Sequence, residues 1–70
     1  MKIEYEIGET SEGKPKVSLS LENGQHIGTI WGTLRLSTSE FDRGQGLIDI
    51  VRNNHIIATI WNAKEKEVSK

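Results

Sequence analysis

Residues 17–31 of this chain read VSLSLENGQHIGTIW, and this stretch decides the fold. Apolar and polar residues alternate from Val17 to Glu22, which is typical of a strand with one buried face. Asn23 and Gly24 follow, and a second apolar run begins soon after them. An Asn-Gly pair between two such runs is the strongest short signal for a β-hairpin, because a type I′ turn needs positive φ at both central residues. We therefore predict a hairpin with a type I′ turn at Asn23 and Gly24.

The same pattern returns at an offset of thirty residues. Residues 21–31, LENGQHIGTIW, align with residues 51–61, VRNNHIIATIW, and both contain Ile, a small residue and then Thr-Ile-Trp. Asn tolerates left-handed backbone angles, so Asn53 and Asn54 are a weaker form of the same turn signal. Periods of this size usually mark a repeated supersecondary unit. The repeat predicts two β-hairpins related by a pseudo-twofold axis, although similar packing needs in two unrelated hairpins would explain it as well.

Two-residue turns also fix the register of both hairpins. The first turn pairs Leu21 with His26, Leu19 with Gly28 and Val17 with Ile30. The second turn pairs Val51 with Ile56, Asp49 with Ala58 and Leu47 with Ile60. In this register the first hairpin is apolar on one face, whereas the second is apolar on both faces.

The remaining segments predict one further strand, a loop and a possible helical turn. Residues 2–7 alternate between charged and apolar types and predict the first strand, and residues 8–15 are polar, contain the only proline and predict a loop. Residues 37–40 have the spacing of a helix capping box, and Gly44 can end a single helical turn. A plain connecting loop explains that segment equally well.

Together these segments predict an all-β fold of about five mainly antiparallel strands. The two related hairpins lie in a twisted sheet or in a small, partly closed barrel. The predicted domain spans residues 1–62. Residues 63–70 are mostly Lys and Glu, so we expect them to form a charged C-terminal tail that frays into solvent.

Composition narrows the classes of function. The chain has 70 residues, no cysteine and a formal net charge of −1. Disulfides and thiolate metal sites are therefore excluded, and the near-neutral charge argues against a bulk electrostatic grip on nucleic acid or an anionic membrane. No apolar run is long enough to span a bilayer, and residues 1–6 contain no hydrophobic signal region. We expect a cytoplasmic protein with no membrane partner and no cofactor.

The second hairpin predicts self-association. A strand that is apolar on both faces must be covered on both sides, and an open apolar face of that size would promote aggregation. A chain of this length readily supplies one cover, so a second copy of the chain is the natural source of the other. We predict a homo-oligomer, most simply a dimer, with Ile48, Ile50 and Ile57 in the interface.

The two tryptophans and three arginines are the candidate binding residues. Trp31 and Trp61 occupy equivalent places in the repeat, and large aromatic side chains on a mixed strand face suit base stacking or a protein contact. Guanidinium groups close to them in sequence can hold an anion such as phosphate. These guanidinium groups belong to Arg35, Arg43 and Arg52. The alternative is that both indoles fill the core or a dimer seam.

Asp49 and the two histidines are weaker candidates. Asp49 falls on an otherwise apolar strand face, where a carboxylate must be paired, with Arg35 or Arg52 as partner, or must contact a ligand. Alternatively the register is shifted by one residue and Asp49 is exposed. His26 and His55 lie beside the turns, but a metal site needs at least one further converging ligand. We therefore predict no metal site and no catalytic residue.

These features favour a binding protein over an enzyme. Small, near-neutral, cysteine-free chains without a catalytic motif are often inhibitors or sequestering proteins of bacteria or their phages. We expect a non-enzymatic homo-oligomer that binds either a host protein or a small anionic, nucleotide-like ligand. The alternative is a single-stranded nucleic-acid-binding domain that stacks bases on Trp31 and Trp61, although its net charge of −1 counts against it.

Overall fold

The computed structural model describes residues 2–66, which form two β-sheets and one short helix. The all-β prediction is confirmed, but this part of the chain holds seven strands rather than about five. In chain order the elements are β1 (Ile3–Glu9), β2 (Pro15–Leu21), β3 (His26–Trp31), β4 (Thr33–Leu36), α1 (Glu40–Gly44), β5 (Ile48–Arg52), β6 (His55–Ile60) and β7 (Ala63–Glu65). One sheet has the strand order β3-β2-β1-β7 and the other has the order β4-β5-β6.

The core lies between the two sheets. Alternation places one apolar side chain at every second strand position, so each sheet presents one apolar face to the other. The buried residues are Tyr5, Val17, Leu19, Ile48, Ile50 and Ala63. Burial raises the pKa of the Tyr5 hydroxyl, and the nearby carboxylate of Glu65 raises it further. Tyr5 therefore contributes a neutral phenol to the core.

The first hairpin turns differently from the prediction. Among the residues of this turn, positive φ is confined to Gly24, at 92°. The Gly24 N–H donates to the Leu21 carbonyl oxygen at 2.9 Å, and the Asn23 Oδ1 accepts a bond from the Gln25 N–H at 2.9 Å. The loop thus contains three residues, with Gly24 in the left-handed conformation, and the predicted type I′ turn is wrong.

A β-bulge restores the predicted register further along this hairpin. His26 pairs with Ser20 and not with Leu21. The register then shifts between Leu19 and Ser20, because Ile27 is an extra residue on β3. The two deviations cancel, so that Leu19 pairs with Gly28 and Val17 pairs with Ile30 as predicted.

The second hairpin contains the type I′ turn. Asn53 and Asn54 have φ of 53° and 64°, and Arg52 pairs with His55 across them. Val51 pairs with Ile56 as predicted, but a shift then follows with Ile57 as the extra residue on β6. Beyond this bulge the pairs are Ile50 with Ala58, Asp49 with Thr59 and Ile48 with Ile60. The predicted pairs of Asp49 with Ala58 and of Leu47 with Ile60 are wrong.

The bulge makes the second hairpin apolar on one face only. Ile48, Ile50 and Ile60 turn toward the core, while Asp49 and Thr59 share the opposite face. The two hairpins also agree in detail, because Ile27 and Ile57 each supply the extra residue of a bulge and because β3 and β6 each lie at the end of a sheet. The pseudo-twofold axis itself stays a prediction.

Two segments outside the hairpins are more ordered than a plain loop or a frayed tail, namely residues 40–44 and residues 63–65. Residues 40–44 form α1, with Ser39 rather than Ser37 as the N-cap, since the Ser39 hydroxyl accepts a bond from the Asp42 N–H at 3.3 Å. Residues 63–65 were expected in a frayed tail, but they form β7, which pairs with β1 in parallel. Ala63 is buried, which explains why this segment is held. Residues 67–70, the rest of the predicted tail, lie outside the described residues.

Candidate binding site

The main candidate site is a groove lined by one tryptophan and one arginine. Trp31 ends β3 and is 57% exposed, and Arg52 ends β5 just before the type I′ turn. We call the groove beside them the Trp31 groove, and its volume is about 350 Å³. Its other lining residues are Lys14, Pro15, Gly32, Thr33, Val51 and Asn53. Pockets that bind small molecules usually start at about 300 Å³, so this groove is large enough for one.

The charge of the Trp31 groove is positive. Its lining includes the cations Lys14 and Arg52 and contains no carboxylate. The Lys14 ammonium lies 3.7 Å from the Glu12 carboxylate, but both side chains are exposed and such pairs are weak in water. Within residues 2–66, Arg52 forms no ion pair with a carboxylate. The groove therefore offers an exposed indole face beside two cationic groups, which suits a flat anion.

No protein family, curated protein or solved structure matches this chain significantly.

A second groove adjoins the first, where the edges of the two sheets approach each other. Its volume is about 450 Å³, and we call it the edge groove. Thr29, Ile30 and Trp31 line it from β3, Ile57 and Ala58 line it from β6, and Arg52 completes it. Trp31 and Arg52 are shared by both grooves, so the two form one continuous surface.

Asp49 and Arg35 lie together, away from this surface. The Arg35 Nη2 lies 3.4 Å from the Asp49 Oδ2, and the Thr59 hydroxyl donates to the Asp49 Oδ1 at 3.0 Å. Both carboxylate oxygens are therefore engaged within the chain. Of the two expected partners it is Arg35, not Arg52, that meets Asp49. The register shifts by one residue, as the alternative interpretation held, and Asp49 lies on the face opposite the core. The expected exposure of Asp49 is wrong, because its side chain is only 15% exposed and is paired with Arg35.

The structure does not bring Trp61 and Arg43 to the Trp31 groove. Trp61 follows β6 and is 53% exposed, but it lines neither groove. Arg43 lies on α1, donates to the Ser37 carbonyl oxygen at 2.9 Å and lines a separate pocket of about 160 Å³ with Leu36 and Leu47. Of the six predicted binding residues, Trp31 and Arg52 line the Trp31 groove, whereas Arg35 and Asp49 pair with each other elsewhere.

The predicted oligomer interface divides between the core and the surface. Ile48 and Ile50 are 2% and 0% exposed within a single chain, because the four-stranded sheet covers the face that they share. These two residues have no exposed surface that a second copy could contact, so their predicted place in an oligomer interface is wrong and they belong to the core. Ile57 is 38% exposed and lines the edge groove.

Sequence reasoning missed six lining residues of the Trp31 groove, namely Lys14, Pro15, Gly32, Thr33, Val51 and Asn53. Pro15 is the first residue of β2 and Lys14 precedes it, whereas the other four lie next to Trp31 or Arg52 or one residue further along the sequence. Proximity in sequence gave a usable signal for Gly32 and Asn53. It gave none for Lys14 and Pro15, which reach the groove because β2 pairs with β3.

Residues 2–66 contain neither a metal-binding group of side chains nor a long apolar helix. No group of three or more His, Asp or Glu side chains there is arranged to hold a metal ion. No helix in that part of the chain is long and apolar enough to cross a bilayer.

Proposed function

We propose that this protein is a non-enzymatic binding protein whose Trp31 groove takes a flat, anionic, nucleotide-like ligand. The observation that carries this proposal is the meeting of an exposed indole with Lys14 and Arg52 in one groove of about 350 Å³. The indole can stack on a planar ring, while the ammonium and guanidinium groups can bind phosphate oxygens. We propose that the protein acts in the cytoplasm as an inhibitor or sequestering protein, and that it is of bacterial or phage origin.

Nucleotide binding can be measured through tryptophan fluorescence. A Trp61→Phe variant leaves Trp31 as the single indole, and we expect a nucleoside triphosphate to quench it saturably. Trp31→Ala should weaken binding by roughly tenfold or more, because stacking on an aromatic side chain contributes about 1–3 kcal/mol per base. Arg52→Gln should weaken binding as well and should reduce its dependence on salt. Isothermal titration calorimetry provides the readout for variants that lack Trp31.

Trp61→Ala is the matched control, because both indoles are about equally exposed, at 57% and 53%. We expect it to bind nucleotides like the unmodified chain. Equal losses in the two variants, or unchanged binding by Trp31→Ala, would contradict the proposed site. Quenching by oligonucleotides but not by mononucleotides, with a steep loss in salt, would instead favour the single-stranded nucleic-acid alternative.

Self-association is the second part of the proposal, and exposed apolar residues near α1 support it. Phe41 is 72% exposed, and Leu36 is also exposed at the end of β4. The two residues lie close in sequence on either side of the Ser39 N-cap, and exposed apolar surface can mark a protein contact. We expect a dimeric mass by light scattering at micromolar concentration and a monomeric mass for Phe41→Ser. Ile7→Ser, which removes another exposed apolar side chain, is the control that should remain dimeric. A monomeric unmodified chain would disprove this part.

A further inference from the structure

The two free sheet edges at the edge groove play no part in the proposed function. Both β3 and β6 lie at the end of a sheet, and the groove of about 450 Å³ lies between them. An edge strand carries N–H and C=O groups that its own sheet leaves unpaired. Extended peptides bind proteins by adding a strand to such an edge.

The free part of β3 can be located from its ladder with β2. The Gly32 N–H donates to the Pro15 carbonyl oxygen at 3.0 Å. Hydrogen-bonded and non-hydrogen-bonded pairs alternate along an antiparallel ladder. The pairs of Trp31 with Lys16 and of Thr29 with Ser18 are therefore the non-hydrogen-bonded ones. The main-chain groups of Thr29 and Trp31 consequently point away from β2, toward the edge groove.

The bulges limit where a strand can be added. A bulge twists an edge strand and blocks regular pairing. The extra residue of each bulge, Ile27 or Ile57, lies in the first half of its strand. Beyond the bulges the edges are regular over residues 28–31 and 58–60. The first residue of each regular stretch is small, Gly28 on β3 and Ala58 on β6.

Charge selects the kind of strand that fits. The lining of the edge groove contains Arg52 and no carboxylate, and the adjoining Trp31 groove adds Lys14. Ile57 and Trp31 supply exposed apolar surface in the same lining. A second copy of this chain would bring the same cations to the contact, so an acidic partner suits the surface better.

We propose that the edge groove binds an extended acidic peptide segment of another protein, which pairs as an added strand with residues 28–31 of β3. Acidic side chains of the added strand meet Arg52 and Lys14, and its apolar side chains meet Ile57. The inference shares Arg52 and Trp31 with the proposed nucleotide site, but its main-chain pairing is independent of that site.

The test uses an eight-residue peptide of alternating Glu and Val with blocked termini. We expect it to bind the full chain and to slow amide hydrogen exchange at Thr29 and Trp31. The same peptide with alternate amides N-methylated should bind about tenfold more weakly, because it cannot form the ladder bonds. A peptide of alternating Lys and Val should not bind.

Thr29→Pro removes the outward N–H of β3 at a position where edge strands tolerate proline. Its melting temperature shows whether the fold is kept, and its affinity for the Glu-Val peptide should fall about tenfold. Nucleotide binding at Trp31 should persist in this variant, so the two proposals fail separately. Binding of the peptide with no change in exchange at Thr29 and Trp31, or equal affinity for the N-methylated peptide, would overturn the strand proposal. Failure of the Glu-Val peptide to bind would also overturn it.

Discussion

Gly46→Ala should remove most of the stability of the chain. Gly46 has φ of 70°, and a Cβ built on it would lie 2.7 Å from the Ala63 nitrogen and 2.8 Å from the Ala63 oxygen. A non-glycine residue at such a φ costs about 1–3 kcal/mol. The clash is with backbone, which cannot rotate aside, and overpacking typically costs a further 1–3 kcal/mol or so. Domains this small rarely hold more than about 3–5 kcal/mol of stability.

The measurement is a thermal melt followed by circular dichroism. For domains of 60–100 residues each kcal/mol shifts the melting temperature by roughly 4–8 °C, so we expect a loss of more than about 10 °C or no cooperative transition. Gly44→Ala is the matched control two residues away, because a Cβ there meets nothing within 4 Å. It should be neutral or slightly stabilising. Similar melting temperatures for the two variants would show that β7 does not pack against Gly46.

The strand β7, which packs against Gly46, could not be predicted from the sequence. Residues 63–65 are Ala, Lys and Glu, a composition that indicates an exposed tail. The Ala63 N–H nevertheless donates to the Gly46 carbonyl oxygen at 3.0 Å, and β7 extends the sheet beside β1. Only a residue without a side chain allows this close approach. A short edge strand held by one glycine has no periodicity from which it could be predicted.

Strands were predictable from alternation, whereas their register was predictable only in part. The pairs of Leu19 with Gly28 and of Val17 with Ile30 form as predicted, but the second hairpin departs from its predicted register beyond Val51. Val17 and Leu19 are buried as the alternation of β2 requires, and this pattern depends on local sequence alone. A bulge adds one residue to one strand and reverses every face beyond it. The extra residues Ile27 and Ile57 resemble ordinary strand residues, so neither bulge could be recognised in advance. That single shift turned a predicted two-sided apolar hairpin into a one-sided one.

The turns show how a correct signal can be assigned to the wrong geometry. Asn-Gly indicated a hairpin at residues 23–24, and a hairpin forms there, but with a three-residue loop. The weaker Asn-Asn pair adopts the type I′ conformation instead. Either loop length suits a sequence with Gly at this place, and the choice follows from how the flanking strands pair. The bulge at Ile27 compensates for the longer loop.

The residue types of the candidate site were predictable, but the particular residues that line it were not. Exposed tryptophan and arginine were expected to meet, and Trp31 and Arg52 line the same groove. Arg35 lies closer to a tryptophan in sequence than Arg52 does, yet its guanidinium pairs with Asp49 instead. Arg43 likewise bonds to the Ser37 carbonyl oxygen and not to a group in the Trp31 groove. Which arginine reaches the indole depends on how two separate sheets pack, and local sequence does not encode that arrangement.

Ile50→Ala should be the second severe variant, with a loss of about 2–5 kcal/mol in the free energy of unfolding. Ile50 is 0% exposed and pairs with Leu34 on one side and Ala58 on the other, at the centre of the face that meets the four-stranded sheet. Removing its side chain beyond Cβ leaves a cavity that neighbouring backbone cannot close. Chemical denaturation at several protein concentrations provides the measurement.

Ile56→Ala is the control, since Ile56 belongs to the same hairpin but is 52% exposed. Surface substitutions usually change stability by no more than about 0.5 kcal/mol. If Ile50 were an interface residue, the loss would grow as the protein is diluted, because dissociation would contribute to unfolding. A core position predicts a loss that is independent of concentration. Concentration-dependent destabilisation by Ile50→Ala would therefore contradict the packing of the two sheets and would return this isoleucine to a contact between chains.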